Sequence, residues 1–316
     1  MYKSKTVAVV VPCYNEEKLI GRVIETMPEF VDHIVCVDDQ SRDRTAEIVE
    51  RYSAAQPERV ILIRLPKNEG VGGAIAAGYR WARDHDIDAT AVMAGDAQMD
   101  PGDLSALLEP VIADETDYAK GNRLFTGEAW NLIPRVRYIG NGLLSMLTKI
   151  ASGYWHVADS QTGYTVANRK VLKTLNLDDI YKRYGMPNDM LVKLNISDFR
   201  VRDIPIKPIY GIGEQSGIKP IRLVPRLSLL LVRLFAYRML QKYIIRDFHP
   251  LVLFYFTGAV LLSLGMFVGL YVVMHRLFIG FVADNTPLFT TFLVLMGWQS
   301  VMFAMWLDME MNKHLK

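Results

Sequence analysis

Two long apolar runs constrain this chain more than any other feature. Residues 250–274 and 287–307 contain no Asp, Glu, Lys or Arg. A helix rises about 1.5 Å per residue, so either run can cross a hydrocarbon core about 30 Å thick. The alternative is a pair of helices buried in a globular core. The segment before the first run, 219–249, is apolar and basic, with Lys219, Arg222, Arg226, Arg233, Arg238, Lys242 and Arg246. At 3.6 residues per turn, Arg222, Arg226 and Arg233 share one face, and the later three occupy another. The phase jumps near residues 234–237, which predicts two short interfacial helices rather than one. Such helices suit an anionic lipid surface; a solvated pair packed on a soluble domain is the other reading. The connector 275–286 holds one arginine, Arg276. The positive-inside rule therefore places the N-terminal part and both termini in the cytosol. No signal-peptide pattern precedes the first strand.

The expected organisation is a soluble α/β domain over 1–218, amphipathic interfacial helices over 219–249 and a two-helix transmembrane anchor over 250–310. Within 1–218, short runs rich in β-branched residues (6–11, 33–37, 60–65, 90–93) alternate with helical patterns (17–27, 45–56, 73–84). That alternation predicts a largely parallel sheet covered by helices on both faces. In such sheets ligands bind beyond the carboxyl ends of the strands. A second stretch, 102–218, predicts helices at 103–112 and 135–151 and strands near 118–120 and 200–207. The formal net charge is only +2, which gives no reason to expect a nucleic-acid partner. Cys13 and Cys36 lack metal or disulfide-framework spacing and read as reduced core thiols.

Polar motifs follow these strands. The first strand ends in Pro12-Cys13-Tyr14-Asn15-Glu16-Glu17. A tyrosine ring there can lie against a flat base and carboxylates can accept from its amino groups, or Asn15 can simply cap the next helix. The second strand runs through Val37 into Asp38-Asp39-Gln40-Ser41-Arg42-Asp43-Arg44-Thr45. Two adjacent acids are costly to bury unpaired, and one can accept from a base imide or a ribose. Lys67-Asn68-Glu69-Gly70-Val71-Gly72-Gly73 opens a helix whose amides can meet phosphate, or whose glycines serve packing. It is neither a Walker loop nor a complete dinucleotide fingerprint. The fourth strand ends in Gly95-Asp96-Ala97-Gln98-Met99-Asp100-Pro101. Asp96, Gln98 and Asp100 alternate, so an extended turn would put their oxygens on one side, as suits Mg2+ or Mn2+ bridging to a diphosphate. Asp100 before Pro101 also reads as a helix cap.

The ordered series Pro-x-Tyr-Asn-Glu, Asp-Asp-x-Ser-x-Asp-x-Thr, Asn-x-Gly and Asp-Ala-Gln resembles family 2 glycosyltransferases of the GT-A fold. With Gly121-Asn122-Arg123, Asp159-Ser160-Gln161-Thr162-Gly163-Tyr164 and two C-terminal spans, it is similar to the polyprenyl-phosphate and dolichyl-phosphate glycosyltransferases, the group of dolichyl-phosphate mannose synthase. The resemblance covers about residues 5–220. It implies a Rossmann-like, mixed but mostly parallel sheet. It implies that Pro12, Tyr14, Asn15, Glu16, Val37, Asp38, Asp39, Asn68 and Gly70 hold the nucleotide-sugar together with Asp96, Ala97 and Gln98. Asp96, Gln98 and Asp100 would hold the divalent cation, with Gln98 standing where the family usually has a second acid. Arg123, Arg137 and Asn141, with Lys219 on a glycine-flanked loop, would grip the acceptor phosphate. Asp159 is the candidate catalytic carboxylate, as base or as orienting group, and Asp189 a second acid over the sugar.

The activity implied is inverting transfer of a monosaccharide from a UDP-sugar or GDP-mannose to polyprenyl or dolichyl phosphate at the cytosolic face of a bilayer. Homo-oligomerisation stays open. A processive polysaccharide synthase would carry Gln-x-x-Arg-Trp and more spans, neither of which is present in this sequence. A non-catalytic membrane scaffold that binds nucleotide-sugar is the other alternative.

Overall fold

The first strand, β1 (Val7–Cys13), reads Val-Ala-Val-Val-Val-Pro-Cys and is buried at every position. A strand covered on both faces must be apolar throughout. A computed structural model describes residues 1–125, 135–207, 209 and 220–316. Its elements are β1, α1 (Ile20–Glu25), β2 (His33–Asp38), α2 (Thr45–Ala55), β3 (Val60–Arg64), α3 (Val71–Asp84) and β4 (Ala89–Val92). There follow α4 (Leu104–Ile112), β5 (Tyr118–Asn122), α5 (Arg135–Ser152), β6 (Thr165–Asn168), α6 (Arg169–Thr174), α7 (Met186–Ile196) and β7 (Val201–Pro205). The C-terminal helices are α8 (Pro220–Leu240), α9 (Leu251–Phe278) and α10 (Asn285–Met311).

One seven-stranded sheet has the order β3-β2-β1-β4-β6-β5-β7. Every pairing is parallel except those of β6, which runs antiparallel to both β4 and β5. Along β1, alternate residues go to opposite faces. Ala8 and Val10 pack with α3 residues such as Ala74 and Ala77. Val7, Val9 and Val11 pack with Ile20 and Val23 of α1 and Leu104 and Leu108 of α4. At Gly78 of α3 a Cβ would lie 2.3 Å from Val10 Cγ1, so this helix lies directly on the strand. Cys13 and Cys36 are buried free thiols.

The reversed strand β6 and the helices α6 and α7 are not among the expected elements. At four residues, Thr-Val-Ala-Asn, β6 is too short to show a period. Its reversal has a consequence for function. The amino end of β6, with the loop 157–164 that enters it, joins the carboxyl ends of β1, β2, β4 and β5 on a single edge of the sheet.

Residues Met1–Phe235 with His314–Lys316 form one compact unit, and Ala236–Lys313 form another. In the second unit, α9 and α10 are long and apolar enough to cross a membrane, and each extends a few residues beyond the expected spans. A Cβ at Gly258 would lie 2.7 Å from Val301 Cγ2, and one at Gly297 2.8 Å from Leu262 N. Small residues at these points let the two backbones approach closely.

The predicted break near residues 234–237 is absent. Helix α8 is continuous to Leu240 and passes into a π-helical turn, Gln241–Arg246. The charges change face for another reason: Arg238 points inward. It is fully buried and donates from both terminal nitrogens to Asp308, at 2.7 and 2.9 Å. The Tyr243 hydroxyl donates to the same carboxylate at 2.9 Å, as does Asn312 Nδ2 at 3.0 Å, and Lys242 donates to Asn312 Oδ1 at 3.0 Å. The partner lies 70 residues away in the chain, which a helical wheel cannot reveal.

Candidate active site

Three loops at the carboxyl ends of β1, β2 and β3 are tied into one rim. Asn15, at a left-handed φ of 58°, donates its amide to Ser41 Oγ and accepts from the Arg42 amide at 2.8 Å. The Glu16 amide donates to Thr45 Oγ1 at 2.7 Å, and the Glu17 amide to Asp43 Oδ2 at 3.1 Å. Asp43 also accepts the Thr45 amide. Asn15 therefore bridges two loops and does not cap α1. Gln40 accepts from the Asn68 amide, and Asn68 Nδ2 donates to the Asp39 carbonyl at 3.0 Å. Pro12 and Val37 are paired strand residues, both buried, and form the floor of the rim. Tyr14 is 42% exposed, so its ring is available to a ligand.

The two adjacent acids have distinct work. Asp38 accepts the Ser41 amide within its own loop. Asp39 accepts the amides of Glu69 and Gly70 at 2.7 and 2.8 Å. Burial pushes its carboxyl up, against the pull of those two amides. The glycines of the next segment serve packing. The Lys182 carbonyl accepts the amides of Gly72 and Gly73 at the start of α3. A Cβ at Gly72 would lie 2.1 Å from the Tyr181 carbonyl oxygen, and one at Gly70 (φ +83°) 2.5 Å from that of Lys182. Gly70 thus allows a close backbone crossing, and the first amides of α3 already have an acceptor. The crossing segment also brings Arg183, which donates to Asn68 Oδ1 at 2.9 Å, and Lys182, which pairs with Glu69 at 2.7 Å. Nothing in the local sequence signals these partners.

At the end of β4 the expected extended turn is not formed. Ala97 takes a left-handed φ of 58°, and Asp96 Oδ1 accepts the Gln98 amide at 3.1 Å. That folds the turn back on itself and removes the alternation that would align Asp96, Gln98 and Asp100. Asp100 instead caps the 3-10 turn Pro101–Asp103, accepting the Gly102 amide at 2.8 Å. Among the described residues, no three acidic, His or Cys side chains converge to hold a metal. Asp96 does lie in the field of Glu16: burial, then the Asp96 charge, push the Glu16 carboxyl up to about 7. Two mutually repelling carboxylates fit a divalent cation that draws its other ligands from substrate phosphates and water.

The far half of the edge is built around a different charge. Arg123, just past β5, donates Nε to Asp159 Oδ2 at 2.8 Å and a terminal nitrogen to Oδ1 at 3.2 Å. The Arg123 and Gln161 amides also donate to this carboxylate. Asp159 is fully buried, whereas Arg123 is 23% exposed. Burial would raise the Asp159 carboxyl, but the Arg123 guanidinium, then Lys120, outweigh it and hold it below the usual range. A carboxylate so held is a poor proton acceptor and a good orienting group. Asp189, in α7, is also committed: its Oδ2 accepts from the Tyr181 amide at 2.8 Å and from Lys193 at 2.9 Å. Burial raises its carboxyl above the usual range. Between these lies a polar set that sequence reading missed. Asn188 Oδ1 accepts from Gln161 Nε2 at 2.9 Å and from Thr148 at 3.2 Å, and the Ser160 and Ser145 hydroxyls meet at 3.1 Å. The side chains of Arg137 and Asn141, and the whole of Lys219, lie outside the described residues.

The edge therefore combines an acidic half, with Glu16, Asp38, Asp39 and Asp96, and an oriented arginine across the sheet from it. Comparison with known proteins identifies the family. Residues 8–175 match the family model described as Glycosyl transferase family 2. UDP-N-acetylglucosamine--dolichyl-phosphate N-acetylglucosaminyltransferase of Methanococcus voltae is 30% identical over 218 residues, covering 65% of this chain and 86% of that protein. Polyprenol monophosphomannose synthase of Mycolicibacterium smegmatis is 28% identical over 217 residues, 66% of this chain and 80% of that protein. Among solved structures, glucosyl-3-phosphoglycerate synthase from Mycobacterium tuberculosis, in complex with Mn2+, UDP and glucosyl-3-phosphoglycerate, superposes with a TM-score of 0.54. At 18% identity over 74% of this chain and 80% of that one, it shares the fold.

Proposed function

The chain belongs to glycosyl transferase family 2, and from that premise we propose that it moves a monosaccharide from a uridine or guanosine diphosphate sugar to polyprenyl or dolichyl phosphate. The observation that carries this reading is the pairing of opposite charges on one sheet edge. A carboxylate-rich rim at the ends of β1, β2 and β4 suits a metal-bound nucleotide diphosphate. An arginine held in a fork by buried Asp159 suits a phosphate acceptor, because guanidinium meets phosphate in a bidentate manner. The relatives named for dolichyl-phosphate and polyprenol acceptors support the same chemistry. Two apolar helices in the same chain support a lipid-bound acceptor.

The bond-forming step is a single displacement with inversion. A phosphate oxygen attacks the anomeric carbon, and the nucleoside diphosphate leaves with the bonding pair. A phosphate monoester has its second pKa near ~6, so at neutral pH the nucleophile is already a dianion. No base is required, which accords with an Asp159 that is ionised and committed to Arg123. Asp159 orients the guanidinium, and Arg123 positions the acceptor phosphate. Tyr14, Asp38 and Asp39 face the nucleoside. Asp96, with Glu16 beside it, would hold Mg2+ or Mn2+, which supplies charge neutralisation for the departing diphosphate. The soluble unit and both termini face the cytosol, in keeping with the basic residues of α8 and the π-helical turn.

The test uses purified full-length protein, a short-chain polyprenyl phosphate, Mn2+ and a panel of labelled UDP- and GDP-sugars. One donor should deliver label to the organic phase. Label that stays aqueous with every donor would reject the proposal.

A further inference from the structure

Beneath the Asp159–Arg123 pair lies a second pair of charges that the displacement leaves unused. Lys120 and Asp203 stand opposite each other in the parallel register of β5 and β7. Lys120 is 1% exposed, an unusual place for an ammonium. It donates to the Thr162 carbonyl. Asp203 Oδ2 accepts from the Ala158 amide at 2.6 Å and from Asn122 Nδ2 at 3.0 Å. Its other oxygen is buried with no hydrogen-bond partner among the described residues. Both ends of the turn 158–162, which carries Asp159, are thus fastened to the strands below by these two side chains.

The charges facing Lys120 are Asp159, Asp203 and Arg123. This makes a closed set of two carboxylates and two cations in a buried site. Burying like charges side by side is costly unless cations accompany them. Burial already pushes the Asp203 carboxyl up to about 6 with Lys120 in place. Without the ammonium, two carboxylates would share one guanidinium, and taking up a proton would be the cheapest relief. The proton would go to Asp203, whose carboxyl is already the raised one, and a protonated Asp203 would hold the Ala158 amide, and with it the turn that carries Asp159 and the Arg123 fork, less firmly.

We propose that Lys120 is a positioning residue for the acceptor end of the site: its buried ammonium balances Asp159 and Asp203 and anchors the turn that aims Arg123. This rests on the reading that Arg123 receives the acceptor phosphate. The experiment compares wild type, Lys120→Met and Lys120→Met/Asp203→Asn as full-length proteins in detergent, with two readouts.

The first is the melting temperature from pH 5 to 8. A carboxyl protonated in the fold but ionised in the unfolded chain loses stability for the protein as pH rises through that interval. Lys120→Met should therefore melt progressively lower with rising pH than wild type, and the double variant, without the Asp203 carboxyl, should lose that fall. The second is steady-state transfer. The KM for polyprenyl phosphate should rise about tenfold in Lys120→Met, the size of one charge-assisted hydrogen bond, with the donor KM unchanged and the double variant restored to within about threefold. A single variant with the wild-type pH response, or a double variant as impaired as the single, overturns the proposal. Should Lys120→Met fail to fold, the double variant must fold; failure of both overturns it as well. If wild type forms no lipid-linked product, the acceptor reading falls, and the melting series still decides the charge balance on its own.

Discussion

Asp96→Asn should lower the rate of sugar transfer by about 10²–10³ at saturating donor and acceptor, the usual loss when one preorganised charge is removed from a transition state. The substitution keeps the shape of the side chain and the acceptor for the Gln98 amide, so the folded turn should survive. What disappears is the negative charge that draws a divalent cation to the diphosphate. The turn cannot easily shift to compensate. A Cβ at Gly95 would lie 3.2 Å from Cys13 Cβ and 3.3 Å from the Pro12 carbonyl oxygen, so the turn is pressed against the β1 loop. Initial rates over a Mn2+ titration check this. A variant restored to wild-type turnover at high Mn2+ would show that Asp96 sets metal affinity alone, and one with unchanged turnover would remove Asp96 from the metal site.

Asp308→Asn should be the most destabilising single change in the second unit, by about 3–5 kcal/mol, because it leaves the Arg238 guanidinium buried without its counter-charge. Both members of the pair are fully buried, and Tyr243 and Asn312 close the same network. Replacing both members, Arg238→Met with Asp308→Leu, removes the uncompensated charge and should cost much less than the single change. Melting in detergent gives the comparison. A single variant as stable as wild type would contradict the assignment of this pair as the fastening of α8 to the end of α10.

Most of the parallel half of the sheet was legible in the sequence, because β1 to β4 are apolar runs separated by amphipathic helices. The polar ends of those strands were legible as well, since a strand covered on both faces leaves its loops as the place for acids and tyrosine. What stayed hidden depends on distance along the chain. The strand β6 is short and lacks a period. The acceptor for the α3 amides is the Lys182 carbonyl, more than a hundred residues away, so Gly70 looked equally suited to phosphate. Arg238 looked like part of an outer basic face because Asp308 is remote. The shape of the Asp96 turn is hidden for a local reason: Ala97 adopts a left-handed conformation that non-glycine residues seldom take, and an alternating pattern gives no warning of it. Lys120 gives no signal, because a lone lysine in a strand reads as solvent-exposed.

The most direct test of the central claim is the chemical linkage in the lipid product. The organic-phase product from the labelled donor panel is analysed by mass and by the anomeric configuration of its sugar. The account predicts a polyprenyl monophosphate carrying one sugar, with configuration inverted relative to the donor. A diphosphate-linked sugar, or retained configuration, would contradict it.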